Sequence, residues 1–357
     1  MSGTGTRERK SVGLGLAFVS ALAFGGSGVA AKPLIEAGLD PLHVVWLRVA
    51  GAALVLLPVA WRHRALPRAR PGLLLGYGLF AVAGVQAFYF AAISRIPVGV
   101  ALLVEYLAPA LVLGWVRFVQ RRPVSRAAAL GVVLAVGGLA CVVEVWAGLR
   151  FDALGLLLAL GAACCQVGYF VLSDHGTEPA SPADHGTEPA SPADPADGVE
   201  RAGPGQAPPS PLGVIAYGLL VGAVVLTFVA RPWGMDWGVL GGRAEMNGTP
   251  VAAFLLLAWI VLLATVVAYA TGVVSVRSLS PQVAVVVACL EAVVATVLAW
   301  VLLGEHLSPP QLAGGFVVLV GAFVAQTATP AGTGGARTVA EGGTVPLEAR
   351  EEVPDAP

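Results

Sequence analysis

Charge is scarce in this chain. Only 12% of its 357 residues are Asp, Glu, Lys or Arg, and 57% are hydrophobic. Soluble domains carry about 25% charged and 45–50% apolar residues. The deficit excludes an ordinary soluble domain and points to a protein that crosses a membrane many times. Net charge is −1, with no basic patch interleaved with aromatics, which argues against a nucleic-acid partner. The four cysteines (Cys141, Cys164, Cys165, Cys289) lie inside apolar runs. None has metal-ligand spacing, so neither a metal centre nor a disulfide framework is expected; they read as small buried hydrophobes. No Gly-rich phosphate loop is present, so ATP is not the direct energy source. No His, Asp or Ser cluster sits at membrane depth, as an embedded enzyme requires, and no cofactor is implied.

What is abundant is long apolar runs. A helical span needs about 20 mostly apolar residues. Ten stretches qualify: Val12–Ala31, Leu42–Trp61, Gly72–Ile93, Val98–Phe118, Ala127–Val145, Ala153–Leu172, Leu212–Ala230, Val251–Gly272, Gln282–Leu303 and Gln311–Gln326. Only helices and closed barrels satisfy their own backbone groups in hydrocarbon. These runs are too long for barrel strands and lack a period of two, so the expected fold class is an all-α integral membrane protein with ten transmembrane helices. Arg7-Glu8-Arg9-Lys10 before the first run resembles a secretory leader. That run has 20 residues, whereas a leader's apolar region has about 7–15, so it reads as a retained span.

Orientation follows from the loops. In the first half one side collects eleven Lys and Arg residues (Arg7, Arg9, Lys10, Arg62, Arg64, Arg68, Arg70, Arg117, Arg121, Arg122, Arg126). The other side holds three: Lys32, Arg95 and Arg150. The expectation is a multi-pass protein of the cytoplasmic membrane with both termini cytoplasmic. Two segments stand apart. Residues 173–211 are rich in Pro, Ala, Gly and acid and contain an exact tandem copy, DHGTEPASPA at 174–183 and 184–193. Such composition cannot bury a core and is expected to be disordered. His175 and His185 follow from the duplication rather than from metal binding. The tail 328–357 has the same character.

An internal repeat is present. A shift of 183 aligns the chain with itself from about Gly99 to Cys141: Val100-Ala101 meets Val283-Ala284, Leu107 meets Leu290, Ser125 meets Ser308, Gly131 meets Gly314 and Gly138 meets Gly321. A shift of 140 aligns Leu14-Gly15-Leu16 with Leu154-Gly155-Leu156 and Gly28 with Gly168. The expected organisation is a tail 1–11, a first repeat 12–147, a second repeat 148–327 carrying the 173–211 loop, and the tail. Five spans per repeat is odd, so the second copy enters the membrane inverted. Inverted repeats mark alternating-access transporters, with substrate near the midplane at the repeat interface. Gly72/Gly76 and Gly218/Gly222 are small-xxx-small pairs that let helices approach closely, and Gly25-Gly26-Ser27-Gly28 leaves a nearly bare surface in the first span.

Two carboxylates interrupt the apolar runs: Glu105 in VGVALLVEYLAPALVLGWV and Glu291 in QVAVVVACLEAVVATVLAWVLL. A charge at the bilayer centre costs about 2.5–3.5 kcal/mol on insertion scales, so such groups face a cavity or the bundle interior. Under the 183 shift Glu291 aligns with Ala108, three residues from Glu105, which is the same helix face. Pro109 has no N–H, so the Glu105 carbonyl loses its helical partner and a kink is expected. Carboxylate and loose carbonyl together suit an ammonium or a proton; the alternative is a protonated glutamate bonded to a neighbouring helix. Arg48 is placed to meet a substrate carboxylate, pair with an acid, or snorkel outward. Gln86 and Tyr89, and Gln166 and Tyr169, each sit three apart and are candidates to line a polar cavity. Glu144 reads as interfacial.

The SRIPVGVALLVEYLAPAL stretch at 94–111 and the closing LLGEHLSPPQLAGGFVVLVGAFVA at 302–325 resemble the EamA family of the drug/metabolite transporter superfamily. The first stretch is most similar to its threonine/homoserine exporter branch, with Tyr106 where that branch has Phe, Ala108 where it has Gly, and Ala292 without the Pro that often follows the second glutamate. The resemblance implies export of small metabolites through a cavity lined by spans 1–4 and 6–9, with spans 5 and 10 at the flanks. The expected function is a secondary transporter exporting an amino-acid-like metabolite by alternating access. Its partners are that small molecule and the lipid bilayer, with protons as a candidate coupling ion and a homodimer left open. The alternatives are a non-transporting membrane receptor or partner protein, a channel, and a transporter of another metabolite or drug class.

Overall fold

The computed structural model describes residues 3–121, 123–144, 152–175, 210–278 and 281–327. The second copy of the duplicated loop sequence, the tail after Thr327 and the Tyr169 side chain lie outside them. Helices occupy each of the ten apolar stretches: α1 (Gly3–Glu36), α2 (Pro41–Val55), α3 (Pro71–Ile93), α4 (Val98–Phe118), α5 (Arg126–Val142), α6 (Ala153–His175), α7 (Pro211–Ala230), α8 (Ala253–Ser275), α9 (Pro281–Leu298) and α10 (Pro309–Thr327). Among the described residues α1, α3, α4, α7 and α8 are long and apolar enough to cross a membrane, and the other five are shorter apolar helices. Large apolar side chains such as Phe118, Phe228 and Phe316 are more than two-thirds exposed, as a surface facing lipid requires.

Helix ends follow local chemistry. Asp40 caps α2 through the Leu42 N–H at 2.8 Å, and Ser125 caps α5 through Ala128 at 3.1 Å. The second expected span is interrupted. α2 ends at Val55, and a short helix, Leu57–Arg62, restarts after Leu56 with a proline in its first turn. Pro58 cannot donate to the preceding turn. α4 is likewise broken: helix ends at Glu105 and resumes at Ala108, with Pro109 in the new first turn. Two helices contain π-turns, Tyr77–Gly84 in α3 and Trp259–Val267 in α8, and a third, Ala299–Leu303, continues α9. The chain also departs from an all-helical pattern. Strands β1 (Arg243–Met246) and β2 (Thr249–Ala252) pair antiparallel before α8. Asn247 and Gly248 join them, both at positive φ, which is the chemistry of a two-residue hairpin turn.

Packing exchanges the two halves. α1 lies against α8 and α9, while α6 lies against α3 and α4; α2 packs on α7, and α5 on α10. At α5–α10 the contact is backbone on backbone. A Cβ at Gly131 would stand 2.8 Å from the Gly321 carbonyl, and one at Gly138 would stand 2.7 Å from that of Gly314. The glycine order along one helix reverses along the other, so the two run antiparallel. At α3–α7, Gly218 meets Tyr77 and Gly222 meets Val82, but the α3 glycine in the contact is Gly78; Gly72 faces open space. Periodicity alone cannot say which small residue a neighbour approaches.

α6 is preceded by Asp152, outside the apolar run. Its Oδ1 accepts from the Gly155 N–H at 3.0 Å and its Oδ2 from Arg95 at 2.9 Å. The Gly155 amide and then the Arg95 guanidinium hold this carboxyl below the usual carboxylate range. The stabilisation is therefore present above the unfolded value of about 3.9 and is lost as pH falls through the lower folded value. In thermal melts at pH 7, Asp152→Ala is expected to melt below wild type and Asp152→Asn between them, because Asn keeps the cap but not the ion pair. Between pH 5 and 3 the Ala variant should lose less stability than wild type.

Candidate functional site

The bare run in α1 is a crossing point, and each of its residues meets a different neighbour. A Cβ on Gly25 would lie 2.9 Å from the Glu291 carbonyl of α9. On Gly26 it would lie 3.1 Å from the Trp259 indole nitrogen of α8, and on Gly28 it would strike the Tyr89 hydroxyl of α3 and Val98 of α4. The Ser27 hydroxyl faces Arg48 of α2. The missing side chains let α3, α4, α8 and α9 close on one level of α1. The Glu291 backbone is part of this crossing, and Glu105 lies two turns along α4 from Val98.

Arg48 is 2% exposed. Its Nε donates to Thr265 Oγ1 at 2.8 Å and its Nη2 to the Ala264 carbonyl at 3.1 Å. Its Nη1 donates to Gln86 Oε1 at 2.7 Å, with a longer contact to Ser27 Oγ at 3.5 Å, and the guanidinium stacks 5.4 Å from the Phe90 ring centre. The α8 acceptors come from the π-turn. Thr265 donates back to the Ile260 carbonyl five residues earlier, and a π-turn is a frequent companion of functional sites. Arg48 thus ties α2 to α1, α3 and α8.

The two carboxylates lie within electrostatic reach of each other and of Arg48. Neither accepts a hydrogen bond among the described residues, and neither forms an ion pair within 4.0 Å. Three tyrosines stand in the same field: Tyr89 on α3, Tyr106 on α4 and Tyr269 on α8. Tyr269 hydrogen-bonds Tyr77 and meets the Phe24 ring edge-on at 5.0 Å. Glu105, Glu291, Arg48, Gln86 and Tyr89 therefore come together, with Pro109 one turn beyond Glu105. Gln166 is half-buried on α6, where Cys165 packs on Gly84 and Gly168 on Phe80 of α3; no side-chain hydrogen bond reaches it among the described residues.

Sequence reasoning missed Ser27, Tyr106, Thr265 and Tyr269. Thr265 and Tyr269 are four apart in an apolar run, which is the signal that marked the other pairs. It also missed Glu305, in the L-G-E segment. This carboxylate pairs with Lys32 at the end of α1, and its Oε2 accepts from the Val98 N–H at 2.9 Å. It thereby caps α4, whose preceding residue, Pro97, supplies no side-chain cap. Glu144, near the end of its span, is 4% exposed and accepts from the Ser308 hydroxyl ahead of α10. The α5–α10 contact carries its helix end into the protein.

Comparisons with known proteins agree with this architecture. None of the curated proteins matches the chain. A solved structure described only as the crystal structure of a protein is 18% identical, with a TM-score of 0.52, over 88% of this chain and 96% of that one. The likeness is one of fold. The EamA-like transporter family matches residues 11–144 and 206–327. Two matched regions covering more than half of the residues settle the family: the chain belongs to the EamA-like transporter family, multi-pass membrane transporters of the drug/metabolite transporter superfamily.

Proposed function

We propose that this transporter exports a small amine-bearing, amino-acid-like metabolite across the cytoplasmic membrane by alternating access, in exchange for protons. Its ten spans form two inverted repeats, 12–147 and 148–327, with both termini cytoplasmic. The amine sits between Glu105 and Glu291, and the same carboxylates carry the coupling proton. The observation that carries this reading is the pair itself. Two carboxylates in apolar helices of different halves lie within electrostatic reach of each other, of Arg48 and of tyrosines on α3 and α8. Such groups at membrane depth are costly and are kept where ions or substrates pass.

The repeat reading draws support from two features. The four glycines related by the 183 shift meet crosswise, Gly131 with Gly321 and Gly138 with Gly314, as a two-fold relation between the halves would have it. The π-turn of α8 starts at Trp259, 182 positions after that of α3 at Tyr77, so the two distortions occupy matching places. The export direction and the amino-acid-like substrate draw on the similarity of the 94–111 stretch to the threonine/homoserine exporters.

The test is uptake of labelled amines and amino acids into inside-out membrane vesicles under an imposed pH gradient. Hydrogen bonds to charged groups contribute about 1.5–3 kcal/mol. Glu105→Gln and Glu291→Gln should therefore each cut uptake by about 10- to 100-fold, and collapsing the gradient should remove the accumulation. Undiminished uptake in both variants would reduce the pair to a packing role.

A further inference from the structure

We infer that the central site binds the ammonium end of its cargo and presents no open guanidinium edge to a carboxylate, so that singly cationic amines are preferred over zwitterions. This rests on the function proposed above and narrows its substrate class.

Among the described residues Arg48 is the one cation in the cluster. Reading a carboxylate through arginine calls for two parallel N–H groups along one edge of the guanidinium. The Nε/Nη2 edge of Arg48 is held by Thr265 and the Ala264 carbonyl of one π-turn. The remaining edge has Nη1 on Gln86 and turned toward Ser27. A substrate carboxylate would have to displace acceptors from α8 or α3 and leave them unpaired in a buried setting, which is unfavourable. Phe90 shields the flat face. Lys32 is engaged with Glu305 at the end of the bundle.

The acceptors have the opposite status. Glu105 and Glu291 accept no hydrogen bond among the described residues, and both are half-buried rather than sealed. One guanidinium beside two carboxylates leaves one negative charge to be balanced when both are ionised. A single monovalent cation does this, whether a proton or an ammonium. A zwitterion brings a third carboxylate to a site that already holds two, and nearby like charges repel. The site is therefore built for net positive charge, and the acid group of an amino acid counts against binding.

The experiment uses the full-length protein in lipid nanodiscs. Binding is measured by calorimetry for alanine, threonine and phenylalanine, for their amides, and for their N-acetyl derivatives. For at least one side chain the amide should bind about tenfold or more tightly than the parent zwitterion, a difference of about 1.4 kcal/mol. The N-acetyl acids should not bind, and Glu291→Gln should erase the preference for the amide. Zwitterions binding as tightly as their amides would overturn the inference while leaving an amine carrier standing. Binding of the N-acetyl acids would overturn it too, by showing that a carboxylate has a receptor. If no amine or amide binds, and none enters inside-out vesicles, the function proposed above fails and this inference with it.

Discussion

Arg48→Met is expected to destabilise the folded protein by about 1.5–3 kcal/mol, the contribution of hydrogen bonds made by a charged group. Methionine fills a similar volume, so the effect isolates the lost donors. Gln86 Oε1 and the Ala264 carbonyl lose their Arg48 partner, and Thr265 keeps only the bond it donates to Ile260. Glu105 and Glu291 lose their nearby positive charge. The π-turn of α8 then has no link to α2 through this residue. Unfolding by SDS in mixed micelles measures the effect. Arg48→Lys should recover only part of it, because an ammonium is a point charge that cannot span the acceptors reached by a planar guanidinium. A loss below about 1 kcal/mol in Arg48→Met, the size of one ordinary hydrogen bond, would mean that the network contributes little to holding the helices together.

The second large effect separates two adjacent glycines. A Cβ on Gly138 would stand 2.6 Å from the Val318 backbone nitrogen and 2.7 Å from the Gly314 carbonyl, while one on Gly137 would meet nothing within 4 Å. The crowded atoms of α10 are backbone and cannot turn aside, so α5 and α10 must separate. Gly138→Ala should cost about 1–3 kcal/mol, the range for overpacking a filled contact, and Gly138→Leu should prevent a stable fold. Gly137→Ala should be neutral or should stabilise by up to about 1 kcal/mol, since alanine favours helix over glycine. The same unfolding assay reads all three. Equal effects at 137 and 138 would show that the two helices do not meet here.

These two predictions differ in how much of them was legible beforehand. Gly138 drew attention because it aligned with Gly321, and its crowding needed only the knowledge that α5 and α10 touch. Arg48 stood out as a charge in an apolar run, yet its role was open among three readings. The residues that engage it are far along the chain, Thr265 lying 217 positions away. Nothing in the local pattern around Thr265 or Ser27 marks them as acceptors for an arginine. Glu144 shows the same limit, since its partner could not be read from its own span. Its position near the end of an apolar run suggested the interface, and Ser308, which engages it, comes from the other half.

The hairpin at 243–252 was hidden for a different reason. Its strands are four residues each, too short for a periodic signal beside long apolar runs, although Asn247-Gly248 carries the turn chemistry. The break after Val55 could be read from Pro58, and the discontinuity at Tyr106–Leu107 from Pro109, because a missing N–H is a local defect. The π-turns of α3 and α8 contain no proline and left no such mark.

The sequence by itself determined the membrane class, the stretches that become helices, and the two carboxylates that interrupt them. Hydropathy and backbone satisfaction act over about 20 neighbouring residues, so they can be read along the chain. Only the tertiary structure decided that α1 crosses α3, α4, α8 and α9 at one level, that Arg48 is held by neutral acceptors from three helices, and that Glu105 and Glu291 share one field. Those outcomes depend on which helix faces meet. Helix pairing is set by close approach at small residues and by hydrogen bonds between distant segments, and neither leaves a periodic trace in the chain.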